Sequence, residues 1–115
     1  MVVFTMRVVT APGHRNVLVS LIEPLLAPTR VEPGCECCRL YVDADDATAL
    51  TLVEEWSTPA ALNRHLLSDA RKLLIAVMEL SALAPVVRFD TIERREGIEV
   101  IERALQQNQP TVGVH

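Results

Sequence analysis

The sequence predicts a single α+β domain with the element order β-α-β-β-α-β. Segments of period-two alternation lie near each end and twice in the middle, two stretches of helical period separate them, and proline or glycine stands at the joints. That order is the ferredoxin-like split arrangement, an antiparallel sheet with helices on one face. At 115 residues the chain has room for one core, burying roughly two-thirds of the unfolded surface. Half of it is hydrophobic but only 3% is aromatic, so Leu, Val, Ile and Ala must fill the core. Trp56, Tyr41, Phe4 and Phe89 stand out against that background.

Val2 to Thr10 reads as the first strand, with Val2, Phe4, Met6 and Val8 on an apolar face and Val3, Thr5, Arg7 and Val9 on a mixed one. Pro12-Gly13 ends it. From His14 a helical pattern places Val17, Leu18, Leu21, Ile22 and Leu25 on one side, kinked or ended near Pro24 and stopped by Pro28. A loop to Gly34 feeds a second strand, Cys35 to Asp43, with Cys35, Cys37, Arg39 and Tyr41 on one side and Glu36, Cys38, Leu40 and Val42 on the other. Asp43-Ala-Asp-Asp46 is a hairpin turn. The third strand, Thr48 to Trp56, puts Glu54 with Leu50, Leu52 and Trp56 and Glu55 on the opposite face. Thr58 as N-cap and Pro59 as first helical residue start one long helix to about Ala82, with Leu62, Leu66, Leu73, Val77, Leu80 and Ala84 as its stripe. Pro85 precedes a fourth strand, Val86 to Glu93, closing a domain over 2–93. Residues 94–115 are an extension, a short amphipathic helix on Ile98, Ile101, Ala104 and Leu105 followed by a disordered polar tail from Gln106.

The net charge of −4 and scattered Arg residues give no basic stripe for a phosphate backbone, which excludes nucleic acid as the expected partner. No apolar run approaches the roughly 20 residues that span a bilayer, and the N-terminus shows no signal pattern, so no membrane association and a cytoplasmic location are expected. Cys35, Cys37 and Cys38 are an odd set unsuited to a disulfide framework, and a strand points them to different faces, so no metal site is expected. Reduced structural thiols are the reading, a redox role the alternative. A sheet covered on one face leaves the other bare, and an apolar patch of that size marks an interface, so a homodimer is expected. Arg7, Arg39, Tyr41 and either Glu54 or Glu55 are placed polar groups of the kind that line a ligand cavity in such a pair.

Arg7, the Ala11-Pro12-Gly13 break, the run Thr29-Arg-Val-Glu-Pro-Gly-Cys35, and Glu55-Trp-Ser-Thr-Pro-Ala-Ala-Leu62 followed by His65-Leu66 together resemble the antibiotic biosynthesis monooxygenase superfamily, over residues 2 to about 93. The resemblance implies a dimeric α+β barrel. It also implies a family of cofactor-independent quinone-forming monooxygenases, haem-degrading enzymes, processors of a quorum-sensing signal and members without known activity, so it does not fix a reaction. In the quinone-forming branch the deprotonated phenol reduces oxygen itself, and no cofactor is required.

On that resemblance Trp56 stacks on a flat substrate or plugs the helix start, and His65 takes a proton, with Asp69 one turn on to hold its tautomer; a partly exposed His in a surface ion pair is the alternative. The catalytic set is therefore His65, Trp56 and Asp69, and the substrate-binding set Arg7, Arg39, Tyr41 and Glu54. Arg7 and Arg39 either steady an anion or bridge strand carboxylates. Arg30 and Glu32 brace the loop or the dimer edge. The sequence departs from the resemblance in one respect: it lacks the cavity Asn that both named chemistries use, having Leu52 four residues before Trp56 and Thr5 and Arg7 in the first strand. The expected function is oxidation of a small aromatic or quinol-type compound with O2 by a homodimer; the rivals are a non-catalytic ligand-binding or stress-related module and a haem-degrading enzyme.

Overall fold

The computed structural model describes residues 1–107. It has the expected α+β architecture: β1 (Val2–Val9), α1 (Arg15–Arg30), β2 (Cys35–Val42), β3 (Ala49–Trp56), α2 (Pro59–Leu66), α3 (Ala70–Glu79), β4 (Val86–Thr91) and α4 (Glu99–Gln107). The strands form one antiparallel sheet in the order β2-β3-β1-β4. Val2, Phe4, Met6 and Val8 stand opposite Trp56, Glu54, Leu52 and Leu50, and that face is sealed by Leu18 and Ile22 of α1, Ala61 and Leu62 of α2, and Leu74 and Val77 of α3. Alternation along β1 and β3 thus sorts core from surface with a period of two. The other face, carrying Val3, Thr5, Arg7, Thr51, Val53 and Glu55, has no core-forming helix over it among the described residues and stays half-buried.

Four expectations are corrected. Helix α1 does not stop by Pro28 but runs through Pro24 and Pro28 to Arg30. Ser20, Pro24 and Pro28 fall on one exposed face at four-residue spacing, so the carbonyls that lose their N–H partners point to water. Strand β2 does not keep simple alternation: a bulge at Glu36 sets Cys35 opposite Trp56 and Cys37 opposite Glu55. The extra residue flips the parity, so Cys35 joins buried Cys38 on the helix side and Cys37 alone shares the bare side with Arg39 and Tyr41.

The long helix over 59–82 is two helices. After Leu66 the Ser68 hydroxyl donates to the His65 carbonyl (2.5 Å) and accepts from the Ala70 N–H (3.3 Å), a local pairing that competes with helix continuation. The break resets the helical phase, so Leu74 and Val77 are buried while Leu80 and Ala84 of the expected stripe are exposed. Finally, β4 ends at Thr91 rather than Glu93. Its six residues are exposed although it pairs fully with β1. The expected tail beyond residue 107 lies outside the described residues, and Gln106 and Gln107 belong to α4.

Candidate functional site

Trp56 ends β3 on the helix-facing side and is fully buried, with Glu54 two residues earlier on the same face. The indole Nε1–H donates to Glu54 Oε1 at 3.0 Å. Thr58 then caps α2, its hydroxyl accepting the Ala61 N–H at 3.1 Å, and Pro59 fits the first turn because its missing N–H has no intrahelical role there. That start fixes the helical phase which turns His65 inward. Its side chain is 2% exposed, as is that of Glu54. The imidazole lies 4.7 Å from the Trp56 ring at 31°, with Nε2 3.3 Å from Glu54 Oε1.

The second imidazole nitrogen is met from a distant part of the chain. Gly34 adopts φ +88° and packs so closely on α2 that a Cβ there would stand 2.5 Å from the Ala61 Cβ, while its carbonyl accepts the Ser57 N–H at 2.8 Å. This seam brings the loop after α1 onto α2, and Glu32 Oε2 reaches 2.5 Å from His65 Nδ1. Arg30 secures the same loop by donating to the Cys38 carbonyl at 2.8 Å. His65 is thereby clamped between a buried carboxylate and one that is a third exposed.

A carboxylate as deeply buried as Glu54 needs a compensating charge. Burial by itself lowers the His65 pKa, but the hydrogen bond and charge of Glu54, reinforced by Glu32, outweigh it and hold the imidazole above its ordinary value of 6.5. The two carboxylates thus favour the protonated imidazole between them, and the outer end of the cluster opens on a pocket of about 130 Å³ lined by Glu32, Pro33, Trp56, Arg64, His65 and Ser68. Next to it the thiols of Cys35 and Cys38 are pushed up to about 11 and about 12, first by burial and then by Glu54, so they are neutral. Among the described residues, no group of three or more His, Cys, Asp or Glu is arranged to hold a metal ion.

The residues singled out in the sequence divide between two places. Trp56, His65 and Glu54 come together under the helices. Asp69 does not pair with His65, because the break after Leu66 removes the i,i+4 geometry; it stands exposed at the N-cap of α3, and Glu32 and Glu54 take the positions foreseen for it. Arg7, Arg39 and Tyr41 lie on the bare face, across the sheet from His65. Arg7 pairs with Asp43 at 3.5 Å, and Arg39 and Tyr41, with Cys37 and Glu55, line a shallow groove of about 880 Å³ along edge strand β2. The sequence reading gives Glu32 a bracing role at the loop or the dimer edge, not a place beside His65. Its contact with a histidine 33 residues away has no local signature beyond the glycine two positions after it.

The family model described as antibiotic biosynthesis monooxygenase matches residues 1–76 of the chain. A protein of Mycobacterium tuberculosis, Rv0793, named as a candidate monooxygenase, is 36% identical over 59 residues. That match covers 51% of this chain and 57% of the relative, a little over half the relative's length. The solved structure of Rv0793 overlays with a TM-score of 0.75 at 28% identity, over 84% of this chain and 98% of that one. PA3566 of Pseudomonas aeruginosa overlays at 0.67 and 27% identity, over 83% and 94%. A Deinococcus radiodurans structure titled as a candidate antibiotic biosynthesis monooxygenase gives 0.76 at 19% identity, over 85% and 98%, which speaks to the fold alone.

Proposed function

The chain belongs to the antibiotic biosynthesis monooxygenase family, and on that premise we propose that it acts as a homodimer oxidising a small aromatic or quinol-type compound with O2, without a prosthetic group. The observation that carries this reading is the clamped imidazole: His65 tilted against the Trp56 ring, with Glu32 joining it to a pocket of about 130 Å³. A pocket near 150 Å³ takes about one benzene ring, so the volume suits a single aromatic ring. Because both nitrogens of His65 face carboxylates, the proton of a phenolic hydroxyl passes first to Glu32, and His65 holds that carboxylate in place. The resulting phenolate supplies the electrons for O2. One ring carbon exchanges its hydrogen for a carbonyl oxygen, and the second oxygen atom leaves as water with the two hydrogens removed. Arg64 at the pocket rim is a cation available to the anion.

Haem does not fit this site. Both imidazole nitrogens are engaged, leaving no axial ligand, and the pocket lies well below the roughly 300–1,000 Å³ of ordinary cofactor clefts. A second reading, a ligand-binding module without catalysis, is favoured by the completeness of the cluster: among the described residues no buried side-chain polar atom lacks a partner. Oxygen uptake with a series of single-ring phenols and hydroquinones separates the two. Glu32→Gln and His65→Gln are expected to lower turnover by roughly a hundredfold or more while ring binding, followed by Trp56 fluorescence, persists. Turnover absent in the parent while ligands still bind selects the binding module, and turnover unchanged in both variants removes Glu32 and His65 from the chemistry.

A further inference from the structure

We propose that α4 is an arm exchanged between two copies of this chain, each laying its apolar stripe into the groove between α3 and β4 of the other. The proposal rests on the homodimer above and concerns its architecture, not its chemistry.

Ile98, Ile101 and Leu105 follow one another at the i, i+3, i+7 spacing with which amphipathic helices enter grooves, and each is at least 60% exposed. No residue of α4 is buried. A nine-residue helix is too short to persist in water unaided, so the stripe requires a surface. The matching surface is an apolar groove of about 200 Å³ walled by Phe4, Leu74, Ile75, Met78, Val87 and Phe89, with Arg71 on its lip. Ile75 and Phe89 are about half exposed there, so the described residues of their own chain leave the groove uncovered.

The route of the chain decides whose groove α4 fills. Val87 and Phe89 oppose Met6 and Phe4, which places them on the helix side of the sheet. After Thr91 the chain is drawn to the other side: the Ile92 N–H donates to the Met1 carbonyl at 2.8 Å, and Arg95 pairs with Glu55 on the bare face. The segment that leads into α4 is thus held on the face opposite the groove. A second copy packed on the bare face meets α4 at its rim, where β4 is the edge strand and the groove opens. Glu102, four residues after Ile98 and three before Leu105, flanks the stripe and complements Arg71. With Glu99 and Glu102 against Arg103, the helix lacks the cationic face that an anionic membrane surface would attract. The exchange is reciprocal and closes with two-fold symmetry.

The test uses the full chain carrying Leu105→p-benzoylphenylalanine, prepared with and without ¹⁵N, mixed, refolded together and illuminated. Mixed-isotope crosslinks from α4 to peptides of residues 71–89 are the expected result. Crosslinks confined to one isotope, or to bare-face peptides, overturn the exchange, as does attachment of the chain to phosphatidylglycerol vesicles with α4 uncrosslinked. If light scattering still shows a dimer in those cases, the homodimer stands without the arm; a monomeric mass sinks both. Arg71→Glu is expected to weaken pairing by roughly tenfold, since each of two contacts turns repulsive, and Glu102→Arg in the same chain to restore it. Failure of that restoration counts against the groove.

Discussion

Gly34 holds the site together through backbone geometry. A side chain there meets two obstacles, a left-handed φ of +88° and the Ala61 Cβ at 2.5 Å. Gly34→Ala is expected to cost about 2–4 kcal/mol in urea unfolding, combining strain with overpacking. It should also loosen the Glu32–His65 contact that this seam sets up. His65 gives a second readout. Its pKa is raised in the folded chain, so its contribution is fully present below about 6.5 and is lost as pH rises through the folded-state value. Unfolding midpoints should therefore fall from mildly acid to alkaline pH, and His65→Gln should flatten that slope. The single tryptophan lies 4.7 Å from the titrating ring, so Trp56 emission should change with a midpoint above 6.5, and a pH-independent signal would contradict the raised value.

Among the elements, α2 carries the site and depends on its first turn. Thr58→Ala removes the oxygen that accepts the Ala61 N–H, with an expected loss of about 1 kcal/mol measured by thermal unfolding. Thr58→Ser should keep most of it. Helix α1 shows how solvent alters a local rule, since its two prolines are tolerated because the orphaned carbonyls face water. The bulge in β2 shows the reverse, one extra residue changing the face of everything before it. Neither can be anticipated from alternation, because a period-two pattern has no term for an insertion and a helical pattern none for where the water lies.

For the whole molecule the unpartnered surface is the sheet face bearing Val3, Thr5, Thr51 and Val53, which no core-forming helix covers among the described residues. A stable pair buries about 800 Å² on each partner, an area a four-stranded face can supply. Light scattering is expected to give twice the 12.7 kDa of one chain, and Val53→Glu, at the middle of β3 on that face, to give the single mass with secondary structure retained. A dimer unaffected by Val53→Glu would place the interface elsewhere. Pairing would also place a second copy over Arg7, Arg39 and Tyr41, giving these residues an enclosed setting that the single chain does not provide.

What the sequence determined by itself was the order of elements, the two faces of β1 and β3, and the pairing of Trp56 with His65 in one region, because these follow from side-chain period and from residues close along the chain. The family resemblance, carried by the loop motif and the Trp-to-His run, was legible for the same reason. Only the tertiary structure decided that Glu32 rather than Asp69 holds His65, that Glu54 belongs to that cluster while Arg7, Arg39 and Tyr41 lie across the sheet, and that the second helical segment breaks at Ser68. The break at Ser68 is a local side-chain contact that helical period does not register, whereas the other two have their reason in packing. A hydrogen bond between residues 33 positions apart, or the side of a sheet on which a charge is buried, is set by how elements pack, and packing leaves no periodic trace in the chain.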